Sequence, residues 1–449
     1  MRRNLTLLAL VVGAAGCGQP QDPADVLARA RKLADRHRVV EALAVIVAYA
    51  TSRPGGEPLR PEEVPLWERW ASLLLSASRS REARDVLLEV GRARPASDAI
   101  RQLLASAHLG VGEHAEALAI YRELPADLLR ASSLDYARAL LGRRRHEEAA
   151  AAAAAALILD PWNEEGYLVL GRVLARLGRE APARALLARY RAGEPFRLAE
   201  EQVLSFEFHG DRGRALFRLG EAERDRGRLY EAMMHFNHAV RAAPRFGPPH
   251  LELARLSRFL ELPGDAIRAL SRLPEEPEFL EALGEAHADA GDAASARRAF
   301  EKALARDATR DGAREGLRRL ETAARDGGAR GPLEVRRREV RDRIRELPVS
   351  ASSEELFSLV EAYEAAGSKE EARRLALFLV RLEPRSAGLR RAVARLFDAP
   401  GDGFVRLWAL APIAEAVGSS PLEAELSRQG VSWPLVQRLL SGRPFTGKE

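Results

Sequence analysis

The side chains best able to do chemistry in this chain are one cysteine, three histidines and a glycine-lysine run. His235 and His238 stand three residues apart, and His250 follows twelve later. Two imidazoles so spaced on one helix face could share a metal ion, but zinc needs a fuller set, and no cysteine or clearly placed carboxylate completes it. A solvated helix surface is the plainer reading. Gly442 to Lys448 reads GRPFTGK, the opening of a phosphate-cradling loop. Such a loop follows a strand and carries a hydroxyl residue after its lysine. Glu449 stands there instead, so nucleotide binding is not expected. There is no HExxH, nucleophile elbow or acidic calcium loop, and the sequence points to no catalytic residue, metal or cofactor.

Cys17 is the only cysteine, which excludes an internal disulfide, a CxxCH haem site and a multi-cysteine zinc site. Its position says more. Arg2 and Arg3 precede an apolar run from Leu5 to Val12, and Gly13, Ala14, Ala15 and Gly16 lead into Cys17. The run is far shorter than the roughly 20 residues needed to cross a bilayer, so residues 1–16 read as a signal peptide.

The elements that would carry any site are helical. Ala, Leu, Arg and Glu dominate, and 46% of the 449 residues are hydrophobic while 30% are charged. Such a composition is neither disordered nor that of a multi-span membrane protein. The net charge is +5 and the pI about 9.6, yet the arginines alternate with Glu and Asp. Without a basic stripe and interleaved aromatics, no nucleic-acid partner is expected.

A repeat emerges from alanines followed twelve residues later by proline: Ala42/Pro54, Ala83/Pro95, Ala149/Pro161, Ala183/Pro195, Ala232/Pro244 and Ala372/Pro384. Ala117, Ala266 and Ala296 keep the alanine alone. Successive spacings include 34, 32, 34, 34 and 30 residues. Twelve residues before each alanine lies a second small residue: Ala30, Ala71, Ala105, Ala137, Gly171, Gly220, Ala254 and Gly284, with Val360 departing. Antiparallel helices approach closely only where each offers a small side chain, so each pair marks a crossing. Gly112, Gly178, Gly227, Gly291 and Gly367 fall between the two and can end the first helix in left-handed geometry. The proline then closes the second helix.

This pattern resembles the tetratricopeptide repeat over about residues 23–308 and 353–384, as in Tyr167–Pro195, Leu216–Pro244 and Leu280–Asp307. The resemblance implies an all-α, right-handed superhelical α-solenoid of antiparallel helix hairpins. The expected layout is signal peptide 1–16, tether 17–22, solenoid 23–324, flexible linker 325–332, degenerate hairpins 333–384 and a C-terminal helical cap 385–449. Residues 311–324 and 333–347 are expected to pair as one degenerate hairpin. The long step from Ala183 to Ala232 leaves room for an extra helix around 196–210.

In that family the first helix of each hairpin lines a groove that binds peptides or partner helices. Carried over by position, the groove would include Leu134, Arg138, Leu141, Leu168, Arg172, Phe217, Arg224, Leu251, Arg255 and Arg258. Glu278, Glu281, Glu285, Glu361 and Glu364 would make its later part acidic. The expected partners are proteins, with an acidic or carboxylate-bearing segment captured by the arginines and Phe217 as an anchor. The alternative is a periplasmic carrier or sensor that holds a small ligand or glycan inside the superhelix, against which stands an aromatic content of 6%.

Ala14 to Cys17 resembles the lipobox of bacterial lipoproteins, with alanine where leucine is commonest. That resemblance implies a lipidated Cys17 as the new N-terminus. It implies a location in the cell envelope on a lipid anchor, with Gly18 consistent with the outer membrane and its periplasmic face. Because stable anchoring takes two or more acyl chains, Cys17→Ser is expected to move the chain from the membrane to the soluble fraction of fractionated cells. A serine variant that still sediments with membranes would contradict the anchor.

Overall fold

The nine paired positions, eight of them small at both and one with Val360, lie in helix hairpins. Ala30, Ala42, Ala71, Ala83, Ala105, Ala117, Ala137, Ala149, Ala232, Ala266 and Ala296 are fully buried, as are Val360 and Ala372. The computed structural model describes residues 22–34, 39–53, 60–93, 97–205, 212–325, 332–344 and 352–445. Residues 1–21, with the expected signal peptide and Cys17, lie outside them, as do the Gly55–Pro58 loop and residues 326–331 of the expected linker. Among the described residues there is no strand, and no helix is long and apolar enough to cross a membrane. The fold is an α-solenoid of tetratricopeptide-like hairpins.

The chain divides into two compact units, one of residues 1–193 with 400–449 and the other of residues 194–399. In the first, Pro23–Ala34 pairs with Val39–Ser52, Val64–Ser76 with Ser80–Ala93, Asp98–Val111 with His114–Glu123, Ser133–Gly142 with His146–Leu159, and Glu164–Arg176 with Glu180–Ala192. In the second, Arg212–Asp225 pairs with Leu229–Ala242, Gly247–Phe259 with Pro263–Leu270, Pro277–Asp289 with Ala293–Arg306, and Ser352–Ala365 with Lys369–Leu382. Local chemistry sets the ends. Ser97, Asn163, Asp292 and Ser386 cap their helices by accepting from Ile100, Gly166, Ser295 and Leu389 backbone N–H groups.

The five turn glycines all adopt positive φ, between 74° and 90°. Among the described turns three have no glycine at that register, and Ser78, Arg144 and Glu261 take the same left-handed conformation with φ of 58–59°. A side chain there costs about 1 kcal/mol, so the hairpin geometry overrides residue preference. The extra helix expected around 196–210 is present as Glu194–Ser205 and packs on Arg212–Asp225.

The expected end of the solenoid is different. Residues 311–324 and 333–347 do not form a hairpin. Asp311–Arg325 packs on the two helices before it, where Gly316 meets Phe300, whereas Pro332–Ile344 packs on Ser352–Ala365. Nor does 385–449 form one cap. Ala387–Leu396 stays in the second unit on Lys369–Leu382, while Gly403–Leu410 and Trp433–Leu440 pack on His146–Leu159 in the first.

The reason lies in His146–Leu159, where Ala149–Ala156 are all buried along with Leu157 and Ile158. A helix apolar on every side must be covered on every side. Its own hairpin covers part of it. Phe404, Leu407, Leu422, Leu426, Val436, Leu439 and Phe445 join it in the same core. Phe445 stacks on Tyr136 with centroids 5.9 Å apart, and its N–H donates to the Tyr136 hydroxyl at 3.1 Å. The GRPFTGK run is therefore anchored in a hydrophobic core at its phenylalanine.

Lys369–Leu382 plays a similar part in the second unit. Leu375 to Val380 are buried without a break, and Phe378 meets Tyr230 at 6.0 Å on Leu229–Ala242. Ion pairs clasp the two helices: Glu231 accepts from Arg381 at 2.8 Å and from Arg228 at 3.0 Å, and Arg228 also holds Glu223 at 3.0 Å. Burial pushes the Glu223 carboxyl up to about 7, with Arg228 pulling it the other way. A carboxyl raised above its unfolded value near 4.5 contributes stability below that value and loses it as pH rises through about 7. Thermal stability is expected to fall from pH 5 to pH 8, and Glu223→Gln to remove most of that slope in a melting series. An unchanged slope would contradict the assignment to Glu223.

Candidate functional site

Within each unit, the first helices of successive hairpins touch one another directly, as Ser133–Gly142 touches Glu164–Arg176 and Gly247–Phe259 touches Pro277–Asp289. That contact puts the first helices on the inner side of the stack. The residues expected to line a groove thus sit on the expected elements, but many already have partners.

The partners lie about one repeat away. Arg138 holds Asp135 at 2.6 Å on its own helix and pairs with Glu165 on the next first helix. Burial works against its charge, but the two carboxylates outweigh that and keep its guanidinium above its ordinary value. Arg224 reaches Glu252 at 2.7 Å, and Arg255 takes the other oxygen of Glu252 at 2.5 Å. Arg258 pairs with Glu285 and holds Asp289 at 2.5 Å. Part of the expected acidic end is likewise matched: Glu281 accepts from Arg310 at 2.8 Å and Glu364 from Arg395 at 2.6 Å. Apart from Arg138–Asp135 and Arg255–Glu252, which lie within one helix, these bridges span 27 to 31 residues, a little under one repeat.

Two expected groove residues belong to the core instead. Leu251 is buried, because Phe279 of the next hairpin covers it in a cluster with Ala254 and Ala282. Phe217 is half-buried between Phe236 at 5.6 Å and Phe246 at 5.5 Å. Its ring faces belong to the packing of its own repeat, so it is not an open anchor.

What stays open is a stripe on Glu164–Arg176. Leu168 is half-buried, and Arg172 and Arg176 are exposed. Steps of four place all three on one helix face. Neither arginine has an ion pair among the described residues. Half-buried Leu134 and Leu141 flank the paired Arg138 on the neighbouring first helix. The arrangement offers apolar contact beside two available guanidiniums, which suits bidentate capture of carboxylates. The sequence reading missed Arg176, although its spacing from Arg172 was a sufficient signal.

The histidines are dispersed in chemistry. His238 is exposed, His235 half-buried, and a ring nitrogen of His250 lies 3.1 Å from the Pro244 carbonyl oxygen. Among the described residues no group of three or more His, Cys, Asp or Glu could hold a metal ion.

No family model matches the chain. It is similar to the Hsp70-Hsp90 organizing protein of Triticum aestivum, with 34% identity over 117 residues, which is 25% of this chain. The chain spans only 20% of that relative's length. Among solved structures it is similar to a tetratricopeptide repeat protein from Parabacteroides merdae, with a TM-score of 0.25 and 15% identity over 67% of this chain and 99% of that one. It is also similar to the Cut9-Hcn1 hetero-tetramer of APC/C, with a TM-score of 0.27 and 14% identity over 93% of this chain and 90% of that one. A third similar structure is PilW, a type IV pilus biogenesis factor, with a TM-score of 0.23 and 16% identity over 57% of this chain and 98% of that one.

Proposed function

We propose that this protein is a non-enzymatic adaptor of the bacterial cell envelope, held at a membrane by lipid on Cys17. Its inner faces bind segments of partner proteins. One observation carries the binding reading: Leu168, Arg172 and Arg176 form an open stripe in a row of first helices on which Arg138, Arg224 and Arg258 are already paired. The partner segment fitting that stripe is acidic or ends in a carboxylate, with an apolar side chain against Leu168. The wheat relative supports a protein-organising role by its name. Export and anchoring rest on the order Arg2-Arg3, apolar run, small residues and Cys17.

A photoreactive residue at position 172 in living cells is expected to give discrete adducts with a partner. The same residue at exposed Arg184, on the second helix of that hairpin, is expected to give none. Absence of adducts at 172, or the same pattern at both positions, would contradict the inner face as the binding surface.

A further inference from the structure

One carboxylate in the second unit is placed against its local preference. Glu261 occupies the turn register at which five other hairpins have glycine, with φ of 59°. Its side chain is 1% exposed. The turn itself needs no acid, and burial of a carboxylate is unfavourable unless it is paired. Its partner is Arg337, whose Nε donates to Glu261 Oε1 at 2.6 Å. Arg337 belongs to Pro332–Ile344, which reads PLEVRRREVRDRI. An arginine-rich helix of the chain is therefore seated against its own repeats.

It is seated loosely. Val340 is buried, yet Val335 is 43% exposed. A cavity of about 650 Å³ separates the helix from the repeats, with Glu285, Asp289 and Arg319 on one side and Arg338 and Asp342 on the other. Protein interiors leave few voids larger than a water molecule, so this contact is not packed as a core. Its other ion pairs, such as Arg338 with Asp342 at 3.8 Å, lie within the helix and do not tie it to the repeats. Leu320 and Ala323 line the same cavity, and half-buried Leu320 leaves apolar surface that the helix does not fill.

We propose that this face is a docking site for an arginine-rich helix of a partner protein, and that Pro332–Ile344 is an internal occupant which such a helix displaces. The partner's arginine would take Glu261, and an apolar side chain beside it would fill the space over Leu320. The proposal rests on the reading that inner faces bind partner segments, but it concerns the other unit and the opposite charge. Failure of crosslinking at position 172 would therefore leave it standing.

The test uses the full chain and a fluorescent peptide of residues 330–346, read by anisotropy. Tethering makes the internal helix a strong competitor, so the wild type is expected to bind the peptide weakly. Arg337→Ala loosens the occupant and leaves Glu261 intact, and is expected to bind at least about tenfold tighter, a change of about 1.4 kcal/mol. Glu261→Gly restores the residue that the turn prefers, so the hairpin stays folded, and it should show no such gain. A peptide with its arginines replaced by glutamate should not bind any of the three. Equal affinity of wild type and Arg337→Ala would overturn the proposal. So would a gain in Glu261→Gly matching that of Arg337→Ala. An Arg337→Ala chain that dimerises without peptide would assign the face to a second copy and overturn the partner helix.

Discussion

The structure depends on how closely two helices can cross within a hairpin. A Cβ added at Gly220 would come within 2.5 Å of the Phe236 ring, and one at Gly284 within 2.6 Å of the Phe300 ring. At Gly171 the obstacle would be Leu187 at 2.9 Å. Each crossing sets a small residue on the first helix against a large side chain and an alanine on the second. Fixing that contact fixes the register of the hairpin, and the left-handed turn follows seven residues later in every copy whose turn is described. It does so even where the turn residue is Ser78, Arg144 or Glu261.

Hairpins stacked in this way leave two surfaces to deal with. On the side of the second helices, the chain supplies its own cover: the 400–445 segment on the alanine helix in one unit and Lys369–Leu382 on Leu229–Ala242 in the other. On the side of the first helices, charge replaces apolar cover. Arginines and carboxylates one repeat apart neutralise each other, so availability depends on where that sequence of pairs stops. Arg138 meets Glu165, whereas Arg172 and Arg176 have no ion pair among the described residues. Arg172 and Arg176 are left for something else.

The repeat was legible in the sequence because a steric requirement recurs at fixed spacing. Ala137 with Ala149 and Gly220 with Ala232 announce their hairpins, and Gly178 and Gly291 announce the turns. The return of the C-terminal segment was not legible by the same logic, since pairing between Tyr136 and Phe445 has no period. A signal was present nonetheless. Ala149–Ala156 has no polar face, and neither has Leu375–Val380, so both needed cover beyond their own hairpins. For the candidate site, position on the first helix was readable but availability was not. Leu251 and Phe217 looked open because the residues that cover them, Phe279 and Phe246, belong to later parts of the chain. Whether an arginine is spent on a neighbour depends on side-chain reach across repeats, which spacing alone leaves open.

The central claim is that the chain closes the outer side of its repeats itself and leaves the inner side for partners. Hydrogen exchange on a chain ending at Ala399, compared with the full chain, tests it most directly. Loss of 400–449 should lower the protection of His146–Leu159 by orders of magnitude and leave Leu229–Ala242 in the other unit unchanged. Equal protection of His146–Leu159 in both chains would contradict the account.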